Sequence, residues 1–91
     1  MELEIGRVKH YYNHINVAVL KLDENLKLGD LIHILGHTTD FIQRVTSMEV
    51  DHHITLWVKP GDDVALKVIE PVREHDVVLR VVEEAMEARP A

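Results

Sequence analysis

Short runs of Val, Ile and Leu, each ended by turn-forming residues, follow one another along most of this chain. Within the runs, apolar residues recur at every second position, which is the period of a strand with one buried face. This pattern predicts strands over Leu3–Tyr12, Val17–Leu22, Leu31–Leu35, Phe41–Asp51, Val64–Ile69 and Val77–Val81. A set of such strands removes its unpaired edges by closing on itself. The sequence therefore predicts an all-β fold, a small closed barrel of about six strands.

The side-chain phase of the strands predicts which residues form the core. Ile5 and Val8 are out of phase for a flat strand, and Gly6 between them permits a bulge that switches the phase. In the last two strands, alternation places one series of aliphatic residues on a single face. The residues expected to line the core are Val64, Leu66, Val68, Val77, Leu79 and Val81.

Residues 1–82 and residues 83–91 differ in character. The chain has 91 residues, which is enough for one domain and too few for two. We assign residues 1–82 to the β domain. Residues 83–91 begin with good helix formers, and Pro90 would end a helix there. A helix of one or two turns is only marginally stable unless it packs against the rest of the domain. A polar C-terminal tail and a short docked helix both remain open for this segment.

Charge and cysteine content narrow the function classes. The net charge is −6, with 16 Asp and Glu against 10 Lys and Arg, whereas nucleic-acid binding draws on a basic surface. The chain contains no Cys, which excludes disulfides, thiolate metal sites and a cysteine nucleophile. No apolar run approaches the roughly 18–20 residues of a membrane span, and Met1–Glu4 lacks the basic start of a signal peptide. We expect a cytoplasmic protein without a membrane partner.

The segment Gly36-His37-Thr38-Thr39-Asp40 is the most distinctive polar cluster. The hydroxyls of Thr38 and Thr39 and the carboxylate of Asp40 are groups that can bind a ligand, together with His37. The same residue types also form turns through side-chain hydrogen bonds to the backbone, and this second interpretation is the stronger one. Trp57, the single Trp, is a candidate anchor for a partner, with a core or rim position as its alternative.

Catalytic and metal sites are not predicted. In an extended strand, the four residues from His33 to His37 span about 13 Å, which is too far for one metal ion unless the chain turns at Gly36. No Ser/His/Asp order or Gly-x-Ser-x-Gly motif is present, and the carboxylate pairs are too generic to assign acid–base roles. We therefore expect no catalytic residue, no metal and no cofactor.

Five short motifs occur in a fixed order along the chain. They are Gly6-Arg7-Val8, Leu26-Lys27-Leu28-Gly29-Asp30, Val45-Thr46-Ser47-Met48-Glu49, Lys59-Pro60-Gly61-Asp62-Asp63-Val64-Ala65-Leu66 and Val72-Arg73-Glu74-His75-Asp76-Val77-Val78. This order resembles domain 2 of elongation factor Tu, and Ile32–Phe41 resembles more closely the stand-alone translation elongation factor-like proteins. The resemblance implies a β-barrel from Leu3 to Val82. Relatives commonly have Gly where this chain has His75, which implies a positive φ there.

The resemblance implies several functions. The first is a non-catalytic interaction module, translation-related, that binds a protein partner or a ribonucleoprotein complex. An RNA-binding accessory domain for tRNA or rRNA is an alternative, which the acidic charge disfavours. A similar barrel forms the C-terminal domain of the collagenase-like peptidase family, so an accessory domain of such an enzyme is a further alternative. We do not expect GTP hydrolysis by this chain alone, because the sequence lacks a phosphate-binding Gly-x-x-x-x-Gly-Lys-Ser/Thr loop.

Overall fold

A computed structural model describes residues 1–82, which form strands and turns without a helix. The strands are β1 (Glu2–Tyr12), β2 (Val17–Leu22), β3 (Leu26–Lys27), β4 (Leu31–Leu35), β5 (Asp40–Arg44), β6 (Met48–Val50), β7 (His53–Ile54), β8 (Trp57–Val58), β9 (Asp63–Lys67) and β10 (Val77–Val81). The predicted all-β class is confirmed. The predicted tail or helix over residues 83–91 lies outside the described residues.

Two antiparallel sheets make up the fold. The larger sheet has eight strands in the order β5-β4-β10-β1-β2-β9-β6-β7, and β3 pairs with β8 in a second sheet of two strands. The long strand β1 lies at the middle of the larger sheet, between β10 and β2. One aliphatic cluster lies under both sheets, and its fully buried members include Leu20, Leu26, Ile32, Val58 and Leu66.

The expected closed barrel is wrong, because the larger sheet is open. Strands β5 and β7 stand at its two ends, and no ladder joins them within residues 1–82. The predicted strand Phe41–Asp51 is in fact two strands, since the chain leaves the ladder at residues 45–47 and resumes beside β9. Val45 instead bonds the turn after β3, accepting from Gly29 N at 2.8 Å and donating to Asp30 O at 2.9 Å.

The buried side chain of Gln43 bridges the gap between β5 and the end of β9. Gln43 on β5 is 7% exposed. Its Nε2 donates to Lys67 O at 2.9 Å, and its Oε1 accepts from Ile69 N at 2.8 Å. The amide thus supplies one donor and one acceptor to the end of β9, as a neighbouring strand would. We call this arrangement the Gln43 clasp.

The predicted bulge in β1 is confirmed. Ile5 and Val8 are both buried, at 0% and 1% exposure, although they are three residues apart. The pairing of β1 with β10 shifts register between Glu4 and Gly6, so the chain gains the extra residue that switches the phase. Gly6 is required here because a Cβ would overlap the carbonyl oxygen of Lys21 on β2.

The predicted phase of β10 is wrong, whereas that of β9 is confirmed. Val64, Leu66 and Val68 are buried, but the buried residue of β10 is Val78. Val77, Leu79 and Val81 are half-buried on the opposite face. Both faces of β10 carry aliphatic residues, so alternation alone could not identify the inner one.

The turn predictions agree with the backbone angles. Gly61 has φ of 94°, as the third position of the predicted Pro60-Gly61 turn requires, and Gly29 has φ of 90°. His75 adopts φ of 77°, the positive value that the resemblance implied. No helix within residues 1–82 is long and apolar enough to cross a membrane.

Candidate functional site

The polar cluster at residues 36–40 forms the tight turn between β4 and β5. Gly36 N donates to Thr39 O at 2.8 Å, and Thr39 is buried at 4% exposure, whereas His37 and Thr38 are exposed. Gly36 is needed because a Cβ would overlap the carboxylate of the buried Asp76. Thr39 therefore has a structural role in this turn. Ligand binding by His37, Thr38, Thr39 and Asp40 stays a prediction.

Asp40 takes part in a bridge of three ionisable side chains. His33 on β4 lies between two carboxylates, with Nε2 at 2.6 Å from Asp40 Oδ1 and Nδ1 at 3.0 Å from Glu2 Oε1. The hydrogen bonds from Asp40 and then Glu2 raise the pKa of His33 above 6.5, and partial burial opposes them. When protonated, the ring donates from both nitrogens, so the bridge joins β1, β4 and β5 most strongly with His33 charged.

Trp57 lies on β8, in the small sheet, and its side chain is 52% exposed. Thr55 fixes the backbone beside it, since Oγ1 donates to Trp57 O at 2.9 Å. Leu28 N donates to Leu56 O at 3.0 Å, which continues the pairing of Trp57 with Lys27. Three more large apolar residues of this region are exposed, Ile54 at 82%, Leu56 at 67% and Leu28 at 43%.

We call Leu28, Ile54, Leu56 and Trp57 the Trp57 surface. Exposed large apolar residues near one another are typical of protein interfaces, where Trp is among the residues that contribute most to affinity. The sequence identified only Trp57. In the sequence, the signal for its neighbours was the bulky run Ile54-Thr55-Leu56-Trp57-Val58, of which the structure buries only Val58.

The structure separates the two predicted sites. The turn at residues 36–40 lies at one end of the large sheet, and Trp57 belongs to the other sheet. Neither of two surface clefts is lined by these residues. One cleft, of about 540 Å³, lies at the Gln43 clasp, and the other, of about 420 Å³, lies over Val19 and Ala65. Within residues 1–82, no three His, Cys, Asp or Glu side chains are placed to hold a metal ion.

Comparison with other proteins points to peptidases. No protein-family model matches the chain. The chain is 40% identical over 78 residues to an uncharacterized protease of Methanocaldococcus jannaschii. That match covers 85% of this chain but 19% of the protease, so the chain spans about a fifth of the relative's length.

Two crystal structures show the same fold. Both are of the C-terminal domain of a U32 peptidase from Geobacillus thermoleovorans. One has a TM-score of 0.82 at 17% identity and covers 88% of this chain and 93% of that domain. The other, a selenomethionine variant, has a TM-score of 0.78 at 18% identity and covers 82% and 95%.

The expected membership of the stand-alone elongation factor-like proteins, and the likeness to domain 2 of elongation factor Tu, are therefore wrong. The protease and the two domain structures are described as proteins of peptidase type, not as elongation factors. The motifs that carried the resemblance are explained by local turn geometry. Gly29 and Gly61 occupy turns with positive φ, which any β fold with those turns requires.

Proposed function

We propose that this chain is a non-catalytic accessory domain of a collagenase-like peptidase of the U32 type, and that it docks on the catalytic part of such an enzyme. The observation that carries the proposal is the identity of 40% over 78 residues with the M. jannaschii protease, of which the matched segment is a small part. The fold match to a C-terminal domain supports the same role.

The Trp57 surface is the proposed contact with the catalytic part. Its four large apolar side chains are 43–82% exposed, so burying them against another domain would gain hydrophobic free energy. Contacts between domains usually bury about 600–1,500 Å², and a few well-placed residues supply most of the affinity. The proposal retains the cytoplasmic setting expected from the lack of a long apolar run and of a basic start at Met1–Glu4.

A binding titration tests this role. The titrant is the full 91-residue chain, and the receptor is the M. jannaschii protease lacking the segment that aligns with the chain. Calorimetry should give saturable one-to-one binding. The intact protease is the matched control, because its own segment occupies the site and should prevent binding. Equal binding to both forms, or to neither, would refute docking at that site.

Two aromatic substitutions locate the contact. Replacing Trp57 with Ala should weaken binding about 30-fold, which corresponds to a loss of about 2 kcal/mol at a central interface residue. Replacing Tyr12 with Ala is the control, since Tyr12 is 50% exposed and lies outside the Trp57 surface. Unchanged affinity for the Trp57 variant would place the contact elsewhere.

A further inference from the structure

The cleft of about 420 Å³ over Val19 and Ala65, which we call the Ala65 cleft, is lined by no residue of the Trp57 surface. It lies on the outward side of β2, β9 and β6, opposite the core. Strand pairing places Val19, Ala65 and Glu49 in one row across these three strands. Ala65 has the shortest side chain of the row and stands on the middle strand, so the cleft is deepest over a single small residue.

Most of the side chains that line the Ala65 cleft are apolar. Val17 and Val19 on β2 are half-buried there, and the end of β1 and its turn add Tyr12 and Ile15, which are 50% and 56% exposed. Ligand sites are concave and mostly apolar, with a few polar groups that orient the ligand, and have volumes of about 300–1,000 Å³. The Ala65 cleft is near the lower end of this range, so it suits a small ligand with a large apolar part.

Two opposite charges stand beside the apolar lining. Glu49 on β6 and Lys67 on β9 both line the cleft and are exposed. Because Glu49 pairs with Ala65, Lys67 is its diagonal neighbour on the same face, with the two residues about 7–8 Å apart. Within residues 1–82, neither side chain forms a hydrogen bond or an ion pair, with the other or with a third residue. Both charges are therefore available to a ligand.

A strained residue forms part of the cleft wall on the β6 side. Asp51 and His52 are the two central residues of the hairpin between β6 and β7, with φ of 51° and 64°. Two-residue hairpins with positive φ at both positions favour Asn or Asp first and Gly second. Asp51 agrees with this preference, but His52 stands where Gly would avoid the strain. Since strained residues cluster at ligand sites and His52 lines the cleft, the strain indicates a contact between its ring and a ligand.

We propose that the Ala65 cleft binds a free α-amino acid with a large apolar side chain, which lies on the apolar lining. The carboxylate of Glu49 accepts from the ligand's ammonium group, and the Nζ of Lys67 donates to the ligand's carboxylate. Both charged groups of an α-amino acid are attached to one carbon atom, so two side chains about 7–8 Å apart can hold them together. The termini of a peptide are farther apart by about 3.3–3.6 Å per residue, which favours a single amino acid. This proposal does not rest on the proposed function, because it concerns a different surface.

An NMR titration of the full ¹⁵N-labelled chain with L-phenylalanine tests the site. Because the ligand is small and the charges are exposed, the dissociation constant should be roughly 0.3–3 mM. Amide resonances of residues 15–19, 47–52 and 65–67 should shift and reach saturation. Shifts that do not saturate by about 20 mM ligand, or that lie outside these residues, would overturn the proposal.

Blocked ligands test the two charge contacts. N-acetylphenylalanine lacks the ammonium group and phenylalanine amide lacks the carboxylate, so each should bind at least about fivefold more weakly than phenylalanine. Glu49→Gln should weaken phenylalanine binding and remove the preference over N-acetylphenylalanine. Glu24→Gln is the matched control, because Glu24 is exposed and does not line the cleft. A preference that survives in the Glu49 variant, or equal binding of all three ligands to the wild type, would contradict the assigned contacts.

Two further variants separate binding from folding. His52→Gly should raise the melting temperature by about 5 °C or more, because it relieves the positive φ, and should weaken phenylalanine binding at least about threefold. Ala65→Leu fills the cleft from an outward position and should abolish the titration shifts while the remaining amide spectrum stays that of the folded chain. A His52 variant that is more stable and binds as tightly as the wild type, or a folded Ala65 variant that still binds, would refute the site.

Discussion

The Gln43 clasp should contribute a measurable share of the stability of the domain. Gln43→Ala removes the bond to Lys67 O and the bond from Ile69 N, each with a net contribution of about 1 kcal/mol. Loss of the buried side chain adds to this cost, whereas the cleft of about 540 Å³ beside it lets water reach the freed groups. We expect a loss of about 2–3 kcal/mol, or roughly 10–20 °C in the melting temperature.

Gln43→Glu keeps the shape of the side chain and tests the hydrogen bonds themselves. One oxygen can still accept from Ile69 N, but the other replaces the donor that faces Lys67 O and Arg44 O. The protonated carboxyl can donate there and the ionised one cannot, so folding should raise the pKa of the introduced carboxyl above about 4.3. A raised pKa gives stability that is present in acid and lost as the pH rises through the folded value.

Urea unfolding of the three proteins from about pH 4 to pH 8 measures both effects. The Glu variant should approach the wild type at the acidic end and fall toward the Ala variant at the alkaline end. A loss below about 0.5 kcal/mol for the Ala variant would mean that the clasp does not hold the sheet ends together. A pH-independent difference between the Glu variant and the wild type would contradict the assigned donor and acceptor.

Three further substitutions test the fold and the bridge. Leu66→Ala should cost about 2–5 kcal/mol in urea unfolding, whereas Leu79→Ala, at a half-buried position opposite the core, should cost less than half as much. His75→Gly should raise the melting temperature by relieving a positive φ worth about 1–2 kcal/mol, and His37→Gly should not raise it. His33→Gln should lower the melting temperature most below pH 6.5, with the difference shrinking as the pH rises through the raised pKa of His33.

Local signals in the sequence were sufficient to predict the strands that have one polar face and turn-forming residues at both ends. Val17–Leu22 and Leu31–Leu35 were predicted with the bounds that the structure has. The bulge at Gly6 was also predictable, because two buried residues three positions apart require it. Each of these features depends on contacts within one strand pair or one turn.

Sequence alone did not predict the features that depend on distant partners. The larger sheet is open because, within residues 1–82, β5 pairs with β4 on one side and with no strand on the other. Nothing in the sequence around Gln43 indicates that its side chain bonds the end of β9. The buried face of β10 was assigned wrongly because both faces of this strand carry aliphatic residues. Trp57 was identified as an anchor candidate, but Leu28, which lies across the strand pair from Leu56, could not be connected to it without the fold.

Hydrogen–deuterium exchange on the mixture of this chain with the truncated M. jannaschii protease tests the accessory-domain role most directly. Amide exchange at residues 26–28 and 54–58, around the Trp57 surface, should be slower when the protease is in excess. Exchange in β4 and β5 should stay unchanged, because neither strand contributes a residue to the Trp57 surface. Unchanged exchange over the whole chain at saturating protease would contradict docking, and slowing confined to β4 and β5 would contradict the assigned surface.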